Sequence, residues 1–414
     1  MKKSLFVLML CFLAFSYQSI AAEKFSITWQ THEEINVMAV FATPDEMFTV
    51  EWGDGVEETY FGEWDFVLLV YEYAEPGEYT VTVTAQSEEC QFFIIQGMMG
   101  VITKVDISEC PSVDNLSITE SLITEIDLSN NPDLRVLSLF FNPFLESLDV
   151  SANLVLEKLF INNTAISSID LSANSLLTYL IISDLMMTEI DLSANPQLFY
   201  LMCENNKLSN LDLSNNNIML IDCYNNHLPL SNLYEISELV ENPSNKRLGT
   251  QTLPEIKVDI DVEVDFSAEA VLGGVNTEFV VLKDGVQAQL DVDYTINNGV
   301  FIFAVEGTYT VTMTNDAIVS ENDFPAEVIV DIIVENGNGI CRKNTMTYSV
   351  YPNPTQDIIY IKTETGIIPL VTLFSPDGKI LQSLYTTELD MTKYAKGIYF
   401  LQISENETIK LVKR

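Results

Sequence analysis

Ile126-Asp127-Leu128-Ser129-Asn130-Asn131-Pro132-Asp133-Leu134-Arg135-Val136-Leu137-Ser138-Leu139 joins two short alternations of apolar and polar residues through a turn. Its first half, apolar-Asp-apolar-Ser, recurs with the acid at Asp106, Asp127, Asp149, Asp170, Asp191 and Asp212, at spacings of 21, 22, 21, 21 and 21 residues. Its second half, Leu-x-x-Leu-x-apolar, recurs in step and ends on Ile118, Leu139, Ile161, Ile182, Cys203 and Cys223. Alternation turns the leucines inward and leaves Asp outside. A coil of ~21 residues cannot bury its own open faces, so neighbours must stack to complete a core. The stretch therefore predicts a solenoid whose elongated surface is available for binding.

Asn131, Asn153, Asn174, Asn195 and Asn216 follow the Asp half-unit at a constant offset. Buried between coils, such a ladder satisfies turn backbone groups that have no strand partner, which is a structural role. These features resemble leucine-rich repeats. The coil length, with Cys203 and Cys223 stacked as small apolar side chains, is similar to the cysteine-containing class of internalin-like bacterial surface proteins. The resemblance implies a fold and leaves the ligand open. The repeat block, with a closing helix, is expected over 90–250, the helix over 231–240 with Ser231 as its N-cap.

Upstream, residues 23–89 read as short alternating strands. Trp52-Gly53-Asp54-Gly55 and Tyr73-Ala74-Glu75-Pro76-Gly77-Glu78-Tyr79 are turns between them. Together they resemble a polycystic-kidney-disease-type (PKD) β-sandwich, which implies a spacer or a weak binding module. Downstream, residues 251–335 return to strand patterning, with turns at Asp284-Gly285 and Asn298-Gly299, and suggest an Ig-like β-sandwich.

A linker, 336–347, leads to a tail, 348–414, that carries Tyr351-Pro352-Asn353-Pro354, Gly378, Gly397, Tyr399, Lys410 and Lys413. That order resembles the type A C-terminal sorting domain of the type IX secretion system. The resemblance implies the secretion machinery as a partner, export through the outer membrane, and attachment to surface lipopolysaccharide. The fold class expected is mainly β and multidomain: β-sandwich, leucine-rich-repeat solenoid, Ig-like β-sandwich and small C-terminal β-sandwich.

At the other end, Lys2 and Lys3, an apolar run from Leu5 to Phe15, and Ser19-Ile20-Ala21 form the pattern of a secretory signal peptide over 1–22. No later run reaches the ~18 apolar residues of a spanning helix. The formal charge is −40. So negative a field repels nucleic acid and anionic lipid. The tail does not share the excess: from Tyr348 onward seven basic residues balance seven acidic ones. Cys90 and Cys110 flank the start of the repeats, where they could pair.

Motifs of chemistry are missing from the sequence. His32 and His227 are the only histidines, and no nucleophile elbow, phosphate-cradling loop or metal-spaced Cys/His cluster occurs. Neither catalysis nor a cofactor is expected. The aspartates Asp127, Asp149, Asp170, Asp191 and Asp212 form a stripe with two readings, a solvated acidic row or a calcium site. Calcium wants six to eight converging oxygens, which favours the solvated row.

Phe140, Phe141, Phe160, Tyr179, Phe199, Tyr200 and Tyr224 lie between the inward positions of the second half-unit, where they point outward or pack at coil edges. If outward, they form a docking stripe for protein or glycan. Three functions follow: an adhesin-like secreted or surface binding protein, a self-associating surface or matrix component, and a secreted hydrolase or accessory subunit. The first is the expectation, and the third needs a carboxylate pair that no motif marks.

Overall fold

The computed structural model describes residues 22–31, 36–99, 101–336, 349–351, 355, 357–362, 370–376, 379–403 and 407–414. The signal peptide up to residue 21, His32, Cys341, Pro352, Asn353, Pro354 and Gly378 lie outside them. The chain forms two compact units that divide between residues 336 and 337.

The first unit begins with strands β1 (Lys24–Gln30), β2 (Asn36–Ala42), β3 (Met47–Glu51), β4 (Glu57–Phe61), β5 (Val67–Tyr71), β6 (Glu78–Ala85), β7 (Phe92–Met99) and β8 (Val101–Glu109). One sheet runs β4-β3-β6-β1-β8. Its inner face meets the second layer through Phe92, whose ring sits edge-on to Phe25 at 5.2 Å and to Phe48 at 5.7 Å. The two turn motifs meet in the same core: the Trp29 indole N–H donates to the Tyr73 hydroxyl (3.1 Å), which donates to the Trp52 carbonyl (2.6 Å). Gly53 turns through φ +84°, where a side chain would strike the Thr80 carbonyl. Packing accounts for both motifs without appeal to the PKD family.

Each coil then contributes one short strand: β9 (Asn115–Ile118), β10 (Val136–Phe140), β11 (Lys158–Asn162), β12 (Tyr179–Ser183), β13 (Tyr200–Met202) and β14 (Leu220–Asp222). They pair in parallel and in register, Leu137 with Leu159, Leu159 with Leu180, and Leu180 with Leu201. Identical coils bring identical positions together, so Leu139, Ile161, Ile182, Cys203 and Cys223 are all buried in one column. The returning half-unit buries Leu128, Leu171, Leu192 and Leu213 against the same core.

Near residue 90 the solenoid sheet runs on into the sandwich before it. Strand β7 pairs with β2 on one side and with β9 on the other, so the second sheet of the sandwich and the solenoid sheet are one ten-stranded sheet. Strand β8, which carries the first Asp of the ladder, pairs with β1. The far end is fused as well. Helix α1 (Leu230–Leu239) covers the last coil with Leu230, Leu233 and Ile236, and β15 (Lys246–Arg247) adds itself to β14. Ser231 is not the N-cap of that helix: Pro229 holds the position, and Ser231 instead binds Glu269 of the next sandwich. In that sandwich the long strand Glu327–Glu335 is flanked by Gly307–Thr314 and by Thr250–Thr252 with Ile256–Asp259. One continuous hydrophobic core runs from Phe25 to Val334.

The second unit is a small sandwich. Its three-stranded sheet, Ser349–Tyr351, Ile358–Lys362 and Glu388–Asp390, shares a core with a four-stranded sheet through Ile359, Ile361, Val371, Leu373, Leu401 and Leu411.

Candidate functional site

The outward face of the ten-stranded sheet is ruled by register. One row of paired residues crosses every strand, from Leu68 through Ala39, Gln96, Ser117 and Ser138 to Phe160, and on through Ile181, Met202 and Asp222 to Arg247. A second row runs Val136, Lys158, Tyr179, Tyr200 and Leu220. Of the expected aromatic stripe, Phe160 lies on the first row and Tyr179 and Tyr200 on the second, while Phe140 pairs with Asn162 one row further along and Phe199 just precedes β13; all five are partly exposed.

The rings also pack on one another, so the two alternatives for the stripe coexist. Phe140 stacks with Phe160 at 6.2 Å, and Tyr179 contacts Phe199 at 4.7 Å and Tyr200 at 5.2 Å. Lys158 Nζ lies 5.0 Å over the Tyr179 ring. Such pairs fix ring orientation in advance, which lowers the entropy lost when a ligand docks.

Two members stand apart. Phe141 sits in the turn after β10 with φ 57° and is 51% exposed, beside Leu122 and Pro143 in a cleft off the sheet face. Tyr224 packs against Phe324 of the following sandwich at 5.1 Å and against Gly249, so it belongs to the junction.

Charged groups flank the aromatic rows. Asp222 is buried and takes Arg247 at 3.3 Å, while Arg247 also reaches Glu321 at 2.5 Å and covers the Phe324 ring. Burial pushes the Asp222 carboxyl above its ordinary range, against the pull of Arg247. Glu204 is likewise raised by burial, next to Ser183 and the charges of Asp222 and Asp184. Asn162 donates to Asp184 at 2.9 Å. The face thus offers aromatic surface with hydrogen-bonding groups at its borders.

The acidic ladder has a local function. Each of Asp127, Asp149, Asp170, Asp191 and Asp212 accepts the backbone N–H two residues on, from Ser129, Ser151, Ser172, Ser193 and Ser214, all at 2.9 Å. These are Asx turns that close the corner of each coil. Among the described residues no three His, Cys, Asp or Glu side chains converge to hold a metal ion.

The asparagine ladder is built as expected. Asn153, for example, donates to the carbonyls of Leu128 (3.1 Å) and Asn131 (2.8 Å), and Asn174 repeats this on Val150 and Asn153. A second amide ladder escaped the sequence reading: Asn142, Asn206, Asn226 and Gln251 each bridge coil backbones at the opposite corner. Its repeat is broken by Thr164 and Leu185, which hid the period. Cys90 and Cys110 are free thiols rather than a disulfide, both buried, with Cys90 pushed up to about 11 by burial. His227 is used in packing, its ring nitrogen meeting the Thr252 carbonyl.

In the tail, Tyr399 donates its hydroxyl to the Ala395 carbonyl at 2.8 Å and Gly397 opens its strand, paired with Lys413. Lys410 is exposed on the last strand opposite Phe400, and Tyr351 pairs with Tyr360.

Residues 349–414 match the family described as "Secretion system C-terminal sorting domain". The chain is therefore a secreted protein, and no helix among its described residues is long and apolar enough to cross a membrane. No curated protein matches the sequence. Solved structures similar to it include the functional domain of InlJ from Listeria monocytogenes, described as including a cysteine ladder, at 22% identity over 59% of this chain and 57% of that one, with a TM-score of 0.43. The internalin InlF of the same organism is similar at 23% identity over 36% of this chain and 43% of that one, TM-score 0.31. An internalin-like protein of that organism is similar at 16% identity over 55% and 82%, TM-score 0.31. The chain thus spans little more than half the length of the InlJ functional domain and less than half that of the solved InlF chain.

Proposed function

We propose that this chain is a non-enzymatic, adhesin-like binding protein, carried on the cell surface or released from it, and that it recognises a protein or glycan through the outward face of β10–β14. The supporting observation is the run of Phe140, Phe160, Tyr179 and Tyr200, partly exposed on one side of a register-aligned sheet, with Phe199 packed against Tyr179 at its border. A flat aromatic surface stacks on sugar rings or accepts apolar anchors of a protein. The sandwiches at either end hold the solenoid closed and act as spacers. Attachment through the sorting domain to surface lipopolysaccharide belongs to the same reading.

Self-association of the repeats is the weaker alternative, because a chain of net charge −40 repels its own copies. The test is capture on an array of glycans and purified surface-protein ectodomains, by the parent chain and by the Phe140→Ala, Phe160→Ala, Tyr179→Ala variant. Loss of at least about tenfold in capture, with the fold retained, is expected. Capture undiminished in the folded variant sinks the assignment of the face.

A further inference from the structure

Strand β5 ends the ten-stranded sheet. Strand β2 covers one side of it, and among the described residues no strand covers the other. Val67 and Leu69 point into the core, whereas Leu68 and Val70 are 54% and 46% exposed, and Trp64 just before the strand is 85% exposed. Soluble proteins shield free edges with lysine, proline or a bulge, since an open row of N–H and C=O groups recruits other strands. Val67-Leu68-Leu69-Val70-Tyr71 has none of these guards.

Charge selects among occupants. From Phe25 to Thr103 the sequence holds fifteen Asp and Glu and neither Lys nor Arg, and exposed Asp65 and Glu72 flank β5 directly. A second copy brings the same field to the edge and is repelled. A basic segment is drawn in.

We infer that β5 is a strand-addition site for an extended segment of a basic polypeptide whose alternate residues are apolar. The added strand completes the backbone ladder, its apolar side chains cover Leu68 and Val70, and its cations meet Asp65 and Glu72. The site is an edge, separate from the aromatic face of β10–β14, and stands whether or not that face binds.

The test uses the secreted chain and three synthetic nonapeptides: Lys-Val-Lys-Val-Thr-Val-Lys-Val-Lys, its counterpart with Glu for Lys, and the basic form with two of its valines replaced by proline. Amide hydrogen exchange at residues 67–71 and Trp64 fluorescence are followed. The basic valine peptide is expected to slow exchange in β5 at least about tenfold. Its affinity should fall about tenfold between ~50 and ~300 mM salt, and at least about tenfold in the Leu68→Lys, Val70→Lys variant, whose changes are at exposed positions. The acidic and proline peptides should give no protection. Binding of the basic peptide without protection of β5, equal binding of the acidic peptide, or protection that appears with protein concentration alone and marks pairing of two copies, each overturns the proposal.

Discussion

The carboxylate of Glu269 accepts both the backbone N–H of Ser231, at 2.5 Å, and its hydroxyl, at 2.9 Å. An acid from the downstream sandwich thereby caps the first turn of the helix that closes the solenoid. The helix has no side-chain cap of its own, so its free N–H groups depend on this distant partner.

Replacing Glu269 by Ala should therefore cost about 1–2 kcal/mol of stability, the usual worth of a lost cap in a partly buried setting. Urea unfolding measures it. A change within error would mean that the helix is held by its apolar contacts alone.

Asn174→Ala removes two hydrogen bonds and strands the carbonyls of Val150 and Asn153 between coils. A loss of about 2–4 kcal/mol is expected, among the largest for any polar residue of the solenoid. Ser172→Ala, on the exposed corner of the same coil, should cost far less. Equal losses would show that the ladder amide is not what joins the coils.

Phe141 holds a left-handed backbone at a position where the other coils carry Glu120, Asn163, Asp184, Asn205 and Asn225, four of the five being Asn or Asp. Such a conformation costs a bulky residue about 1–2 kcal/mol and asparagine less. Phe141→Asn should accordingly raise stability by about 1 kcal/mol. A midpoint shifted downward would show that contacts of the ring outweigh its backbone strain.

Stability should have a rounded maximum in weakly acidic solution. Hydrogen bonds from the side chain and backbone of Ser129, Ser151, Ser172 and Ser193 hold Asp127, Asp149, Asp170 and Asp191 below the ordinary range, so their contribution is present above an unfolded value of ~3.9 and fades as pH falls through their folded values. Burial raises Glu204 and Asp222, so folding is favoured while these are protonated and loses that support as pH rises through their folded values. Glu204→Gln should flatten the decline on the alkaline side, and Asp149→Asn should flatten it on the acid side. Unfolding midpoints across pH 3–8 check both limbs; identical profiles for parent and Glu204→Gln would assign the alkaline limb to other groups.

Much of the solenoid was legible in the chain. Leu139, Ile161, Ile182 and Cys203 were expected in one inward column and are buried there, and the Asn131-to-Asn216 series does the bridging expected of it. The candidate face was half legible. Outward positions follow from alternation, but nothing local says that Tyr224 meets Phe324 or that Phe141 turns off the sheet into a loop. Strands β7 and β8 lie within the block that the sequence assigns to the repeats, yet they also pair with β2 and β1.

The amino-acid sequence alone determined the coil length, the inward residues, the corner turns and the bridging amides from Asn131 to Asn216. All of these depend on a constant offset between neighbours, and a constant offset is visible as a period. Only the tertiary structure decided how the stack is closed, which aromatic rings keep open surface and which strand is left as a free edge. Those outcomes rest on partners that occur once, such as β2 for β7, Glu269 for Ser231 and Phe324 for Tyr224, and a contact made once leaves no repeat to read.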